Sequence, residues 1–152
     1  MKDQTRPEMV PGTAALLERL FKTASFDHFL QQNEQAMQPE PFHLYICAMC
    51  RQKGLVREHV IQRANIERGY GHQIFRGIRE PSRDKVLQLA FGFGLNVPEA
   101  QRLLRAAEKS PLYPRLKRDA AILFCINRSE SLVQTQLLLS ELGLSPLGGA
   151  EC

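Results

Sequence analysis

Apolar residues recur every three or four positions along almost the whole chain, and no run alternates with the period of two that a strand requires. The pattern predicts an all-α protein. Leu16, Leu17, Leu20 and Phe21 form one stripe, with Thr13 placed to cap it, and Phe26, Phe29 and Leu30 form a second behind Ser25. The segment QPEP, residues 38–41, breaks the pattern and marks a hinge between an N-terminal helical arm, 1–41, and a central domain, 42–109. Short helices follow closely from Phe42. FHLYICAMCRQK ends at Gly54, LVREHVIQR is next, and ANIERGYGHQIFRGIREP holds a third that Gly77 ends. Pro81-Ser82 opens RDKVLQLAFGF, which Gly94 ends, and a capping box of Asn96 with Glu99 starts a fifth helix reaching about Lys109. Five helices this short suit an orthogonal bundle.

Beyond SPLYP, residues 110–114, the segment 110–152 predicts a helical hairpin. Its arms are RLKRDAAILFCIN and SLVQTQLLLSEL, joined by the short NRSES and closed by Gly143. Residues 1–11, with Pro7 and Pro11, and the tail PLGGAEC are expected to be loose ends. No internal repeat stands out.

A chain of 152 residues that is 43% hydrophobic can bury a core without staples. Its four cysteines are scattered, the start does not read as a secretory signal, and no apolar run approaches membrane-spanning length, so a cytoplasmic protein with reduced thiols and no membrane contact is expected. The net charge is only +4, but it is unevenly spread. Residues 51–85 carry nine basic and four acidic side chains, whereas residues 1–50 carry four and six, and residues 86–152 seven and six. A basic centre is what a polyanion-binding face needs. On charge alone, a solvated Arg-rich surface reads the same way.

Residues 42–107 resemble the phage-repressor type of helix-turn-helix, the XRE class of transcription regulators. The resemblance rests on Gly54-Leu55, Val60-Ile61-x-x-Ala64, Ile66, Ile74-x-x-Gly77, Arg79-x-Pro81-Ser82, Lys85 and Leu87-x-Leu89-Ala90. It implies that the second of the five helices packs across the third, with Val60, Ile61, Ile66 and Ile74 inward and a small Ala64 where they cross. Where the family has a glycine in the turn this chain has Asn65, the next-best residue for positive φ. Where the family pairs an arginine with a glutamate between the first and third helices, the register gives Cys50 and Phe75, read as an apolar replacement of the whole pair. Gly71 stands at an inward aliphatic position, with Tyr70 and Phe75 expected to fill the gap. Gly69 falls outward, where it would let a ligand approach the backbone.

The resemblance implies a sequence-specific regulator of double-stranded DNA whose third helix lies in the major groove. The outward candidates for base contact are Arg68, Gly69, His72 and Gln73, with Arg68 suited to guanine and Gln73 to adenine. Arg57, Arg76 and Arg79 are candidates for phosphate contact. Glu67 opposes this role, since an acid at the helix start repels phosphate, although it also suits a cap or a contact to cytosine N4. The alternative is a protein-interaction adaptor that keeps the fold and uses the third helix or its apolar flanks to hold a protein.

Other constellations are weaker. Cys47 and Cys50 form a CxxC in mid-helix, where it reads as core packing, and no second ligand pair follows at zinc spacing. His28, His43 and His59 have no Ser or carboxylate arrangement that compels catalysis, and no glycine loop cradles phosphate. The sequence therefore predicts no enzyme, no cofactor and no metal. The apolar hairpin, with Ile122, Leu123, Phe124 and Ile126 facing Leu132, Val133, Leu137, Leu138 and Leu142, either packs on the central helices or forms a homodimer interface.

Overall fold

The computed structural model describes residues 12–149, and the loose start expected for 1–11 lies outside them. Among the described residues the fold is all-α, with no strand. The chain divides into two compact units, Met1–Pro39 and Glu40–Cys152. The segment beginning at residue 110 thus belongs to the same unit as the central helices.

The first unit contains α1 (Thr13–Lys22), α2 (Phe26–Asn33) and a short 3-10 turn (Gln35–Met37). Thr13 is the first helical residue rather than the cap; Gly12 holds the cap position and makes no side-chain bond there. Ser25 caps α2 as expected, accepting from the His28 N–H. Phe26 and Phe29 stack, and the buried Asn33 joins the two helices by accepting from Arg19 while donating to the Phe29 carbonyl.

The second unit runs α3 (Phe42–Lys53), α4 (Arg57–Arg63), α5 (Arg68–Phe75), α6 (Arg83–Phe93), α7 (Val97–Ala106), α8 (Lys117–Asn127) and α9 (Leu132–Glu141). Local chemistry sets most of these ends. Gly54, Gly94 and Gly143 leave α3, α6 and α9 in the left-handed region that glycine enters without a Cβ penalty. Ser82 caps α6, and the boxes Asn96 with Glu99 and Ser131 with Gln134 open α7 and α9. α6 packs chiefly on α4. There Gly92 is obligatory, because a Cβ would stand 2.5 Å from the Val60 carbonyl oxygen. Gln88, buried on the same face, donates to the Ala64 carbonyl at 3.0 Å and so holds the turn after α4.

The sequence reading saw no repeat, but the structure reveals one. α6–α7 with the segment after it, and α8–α9 with the segment after it, are two versions of one hairpin. Arg83-Asp84 matches Arg118-Asp119, Gln101 matches Gln136, Leu103-Leu104 matches Leu138-Leu139, and Ser110-Pro111-Leu112 matches Ser145-Pro146-Leu147, all at a constant offset. Each shared residue does the same work twice. Gln101 clasps the backbone of Leu112 through both its N–H and its carbonyl, as Gln136 clasps Leu147. Arg83 donates to both carboxylate oxygens of Asp119 and to the carbonyls of Ser110 and Pro111; Arg118 donates to both oxygens of Asp84 and to the carbonyls of Ser145 and Pro146. The partners are exchanged between the hairpins, and α6 meets α9 as α8 meets α7. Such reciprocity marks a local two-fold relation between the halves. The tail is consequently not frayed at residues 145–149: Leu147 is buried and the Gly148 N–H binds Asp84.

These locks differ in burial. The Asp119 side chain is 4% exposed and that of Asp84 is 29% exposed. Arg83→Ala strands a buried carboxylate and should cost about 3–5 kcal/mol. Arg118→Ala loses charged hydrogen bonds at a wetter site and should cost about 2 kcal/mol. Urea denaturation of the two variants checks the order. Burial pushes the Asp84 carboxyl upward, but the Arg118 guanidinium and the Gly148 N–H outweigh it and hold the group below the ordinary aspartate range. A depressed carboxylate stabilises above its unfolded pKa and loses that contribution as pH falls through its folded pKa. Stability should therefore fall as pH drops below about 4, and less steeply in Asp84→Asn, as measured by thermal melts across that range.

Candidate nucleic-acid interface

α4 and α5 are joined by Ala64 to Glu67, and the bend is made at Asn65, whose φ is 52°. Asparagine occupies this left-handed conformation more readily than most residues with a Cβ, because its short polar side chain bonds locally. Val60, Ile61, Ala64, Ile66, Ile74 and Phe75 are all buried, so the residues that the resemblance implies to be inward are inward. Cys50 and Phe75 lie in the same core, Phe75 tilted against Phe93, and burial followed by the neighbouring Cys47 pushes the Cys50 thiol up. No group of three side chains able to hold a metal occurs among the described residues.

The glycines of α5 have different reasons. At Gly71 a Cβ would meet the Ile61 side chain at 2.6–2.9 Å. Ile61 of α4 therefore occupies the space that Tyr70 and Phe75 were expected to fill. Gly69 is not open backbone either. Glu67 folds over the helix start, and its two carboxylate oxygens accept from the Gly69 N–H at 2.9 Å and the Tyr70 N–H at 2.8 Å. These two bonds hold the Glu67 carboxyl below the ordinary range. Capping, one of the three readings of Glu67, is its place in the fold. Gly77, at φ 75°, ends the helix exit, and the ring of His43 lies so close that a Cβ would meet Nδ1 at 2.6 Å.

The remaining candidates are brought together in pairs. Arg68 and His72 converge on Glu58 of α4: the Arg68 Nη2 and Nε donate to its Oε1 at 3.0 and 3.2 Å, and His72 Nε2 lies 2.9 Å from the same oxygen. The two partners hold Glu58 below the ordinary glutamate range, Arg68 first. Gln73 accepts from the Arg79 Nε at 3.0 Å, and the Arg79 guanidinium lies over the Tyr70 ring at 4.8 Å, with the Lys85 ammonium over the same ring at 5.7 Å. Arg57 turns toward α3 and α5, its Nη2 3.2 Å from the Cys47 sulfur and its guanidinium 5.4 Å from the Phe75 ring centre. Arg76 is exposed and makes no ion pair among the described residues.

Sequence reasoning gives Glu58 no role and reads Tyr70 and Lys85 only as part of the framework. Glu58 and Arg68 lie on different helices, and only the fold brings them together. Tyr70 had been assigned to packing, and it is the platform on which two cations rest. The two glycines yield a contrast. Gly71→Ala should destabilise by about 1–3 kcal/mol through overpacking against Ile61. In Gly69→Ala the helix gain of about 1 kcal/mol is set against a small displacement of the Glu67 cap, so the change should be near neutral. Thermal melts of both variants check the difference. Compared with known proteins, the chain matches no family model, no curated protein and no solved structure.

Proposed function

We propose that α3 to α7 form a phage-repressor-like helix-turn-helix domain and that the protein is a sequence-specific regulator binding double-stranded DNA. The observation that carries this reading is the gathering of Arg68, His72, Gln73, Arg76 and Arg79 on one short helix and the segment just past it, with Arg57 at the start of α4. In this reading α5 enters the major groove. Arg68, His72 and Gln73 meet base edges, with Arg68 on guanine and Gln73 on adenine. Gly69 leaves room for the Glu67 carboxylate, whose oxygens stand 3.3 Å from where a Cβ would be, and Arg57, Arg76 and Arg79 grip phosphate and set the register. Tyr70 holds the Arg79 guanidinium in place, which lessens the entropy lost when it binds.

Glu58 then acts as an internal counter-ion. It engages Arg68 and His72 in the free protein and must release them to a base or phosphate. Sites that offer only backbone charge compete poorly for them, so Glu58 favours specific over non-specific binding.

The alternative, a protein-interaction adaptor, draws on a separate observation. Val56, just before α4, is 56% exposed and Ile78, just past α5, is 68% exposed, and two acids, Glu58 and Glu67, stand near the start of α5. An apolar pair at the two ends of the α4–α5 helix pair suits a protein surface.

Fluorescence anisotropy with mixed-sequence duplex DNA across a salt series separates the two. The DNA reading expects affinity that falls with salt, a slope reduced by about one in each of Arg76→Ala and Arg79→Ala, and a loss of about 1–3 kcal/mol in Arg68→Ala on a selected site. It also expects Glu58→Gln to tighten mixed-sequence binding and to narrow the preference for the selected site. Absence of binding at low salt, or identical binding in all variants, would leave only the adaptor.

A further inference from the structure

The two hairpins share a framework but differ along their second helices. α9 presents Val133 and Leu137, one turn apart and 69% and 59% exposed. The matching positions of α7 hold Pro98 and Arg102, also on the surface. Single exposed apolar residues are ordinary, but a pair set into a concavity marks a binding surface. Val133 and Leu137 are so placed. With Phe91 of α6 they supply the apolar part of a groove of about 610 Å³, and Gln62, Arg63 and Asn65, from the end of α4 and the turn after it, supply polar groups. The size is that of a small-molecule site.

We propose that this groove binds a small apolar carboxylic acid, its chain or ring lying along Val133, Leu137 and Phe91 and its carboxylate held by Arg63. Charge selects an anion: Arg63 lines the groove and no Asp or Glu does. Among the described residues the Arg63 guanidinium makes no ion pair, and the side-chain amides of Gln62 and Asn65 make no hydrogen bond, so a cation and two amides at one end of an apolar groove are without partners. His59, one turn before Arg63, lines with it and Gln62 an adjoining hollow of about 370 Å³ and brings a further donor to the same end. The carbonyls at the end of α4, which would repel a carboxylate, are already engaged. Those of Ile61 and Gln62 accept from the N–H groups of Ile66 and Asn65, and that of Ala64 accepts from Gln88. Size excludes a protein surface as the natural occupant. A stable interface takes about 800 Å² from each partner, whereas three apolar side chains suit the body of one small molecule.

Isothermal titration calorimetry of the full chain with decanoate and with decanol, which differ only in the head group, tests the site. Decanoate should bind at a single site and raise the thermal midpoint. Decanol should bind about tenfold more weakly, the loss expected when hydrogen bonds to a charged group are removed. Arg63→Gln should weaken decanoate by a similar factor and leave decanol unchanged. Leu137→Glu should abolish the binding of both, and Phe124→Ala, at an exposed aromatic of α8 outside the groove, should alter neither. Should Leu137→Glu unfold, Val133→Ser takes its place and should weaken both ligands alike. Equal affinity for decanoate and decanol, decanoate binding that survives Leu137→Glu, or no binding of either would overturn the proposal. Sedimentation velocity reports on a different occupant: a wild-type mass of two chains that Leu137→Glu halves would assign the groove to a second copy and overturn it as well. None of these measurements involves DNA, so the site stands or falls apart from the DNA reading.

Discussion

The exchange of guanidinium and carboxylate between α6 and α8 is the constraint on which the second unit rests. Asp119 is almost wholly buried, and a carboxylate there is tolerable only with its charge matched and its lone pairs filled. Arg83 does both, and the Tyr113 N–H adds a further donor. The task requires arginine. One guanidinium spans two carboxylate oxygens and two backbone carbonyls in a fixed fork, a set that the three donors of a lysine cannot reproduce in one plane. Because the first hairpin supplies the acid for the second and the second supplies the acid for the first, neither lock closes until both hairpins are in place. α6 is thereby held in the position where Gly92 and Gln88 receive α4 and the turn after it.

From that seat outward, the surface around α5 is organised by charges that satisfy one another before any ligand arrives. Glu67 closes the helix start, Glu58 joins α4 to α5 through Arg68 and His72, and Tyr70 collects two cations. The helix itself is poor in intrinsic propensity, with two glycines in eight residues, and it owes its form to the Ile61 contact and the Glu67 cap. A helix held by packing and by displaceable ion pairs is a surface whose polar groups can change partners at little cost in fold. The DNA reading draws on that property.

The duplicated hairpin shows one framework put to two uses. The anchor residues, Arg-Asp, the clasping glutamine and the Ser-Pro-Leu segment, are the same in both copies because each satisfies backbone groups that would otherwise be buried unpaired. The outward stripe is free of that requirement, and there the copies part: close-packing glycine and buried glutamine on α6, phenylalanine and leucine on α8. The first stripe receives helices of its own chain, whereas on the second Phe124 and Leu116 stay exposed.

The sequence by itself determined the helical class and most helix ends, since these depend on neighbours a few residues away. Ser25, Ser82 and the Asn96–Glu99 box cap where they were expected to, Gly54, Gly77, Gly94 and Gly143 leave their helices in the left-handed region, and Asn65 bends the turn. It also named the side chains around α5. What those side chains do was decided by tertiary structure alone, because it depends on which residues meet across helices. Arg68 and His72 find Glu58, Ile61 fills the space at Gly71, and Arg83 and Arg118 find acids more than thirty residues away. The repeat is hidden along the chain for the same reason. Its shared residues are few and spaced apart, and their common purpose becomes visible only when both hairpins close on each other, since buried charge is satisfied by proximity in space and not by order along the chain.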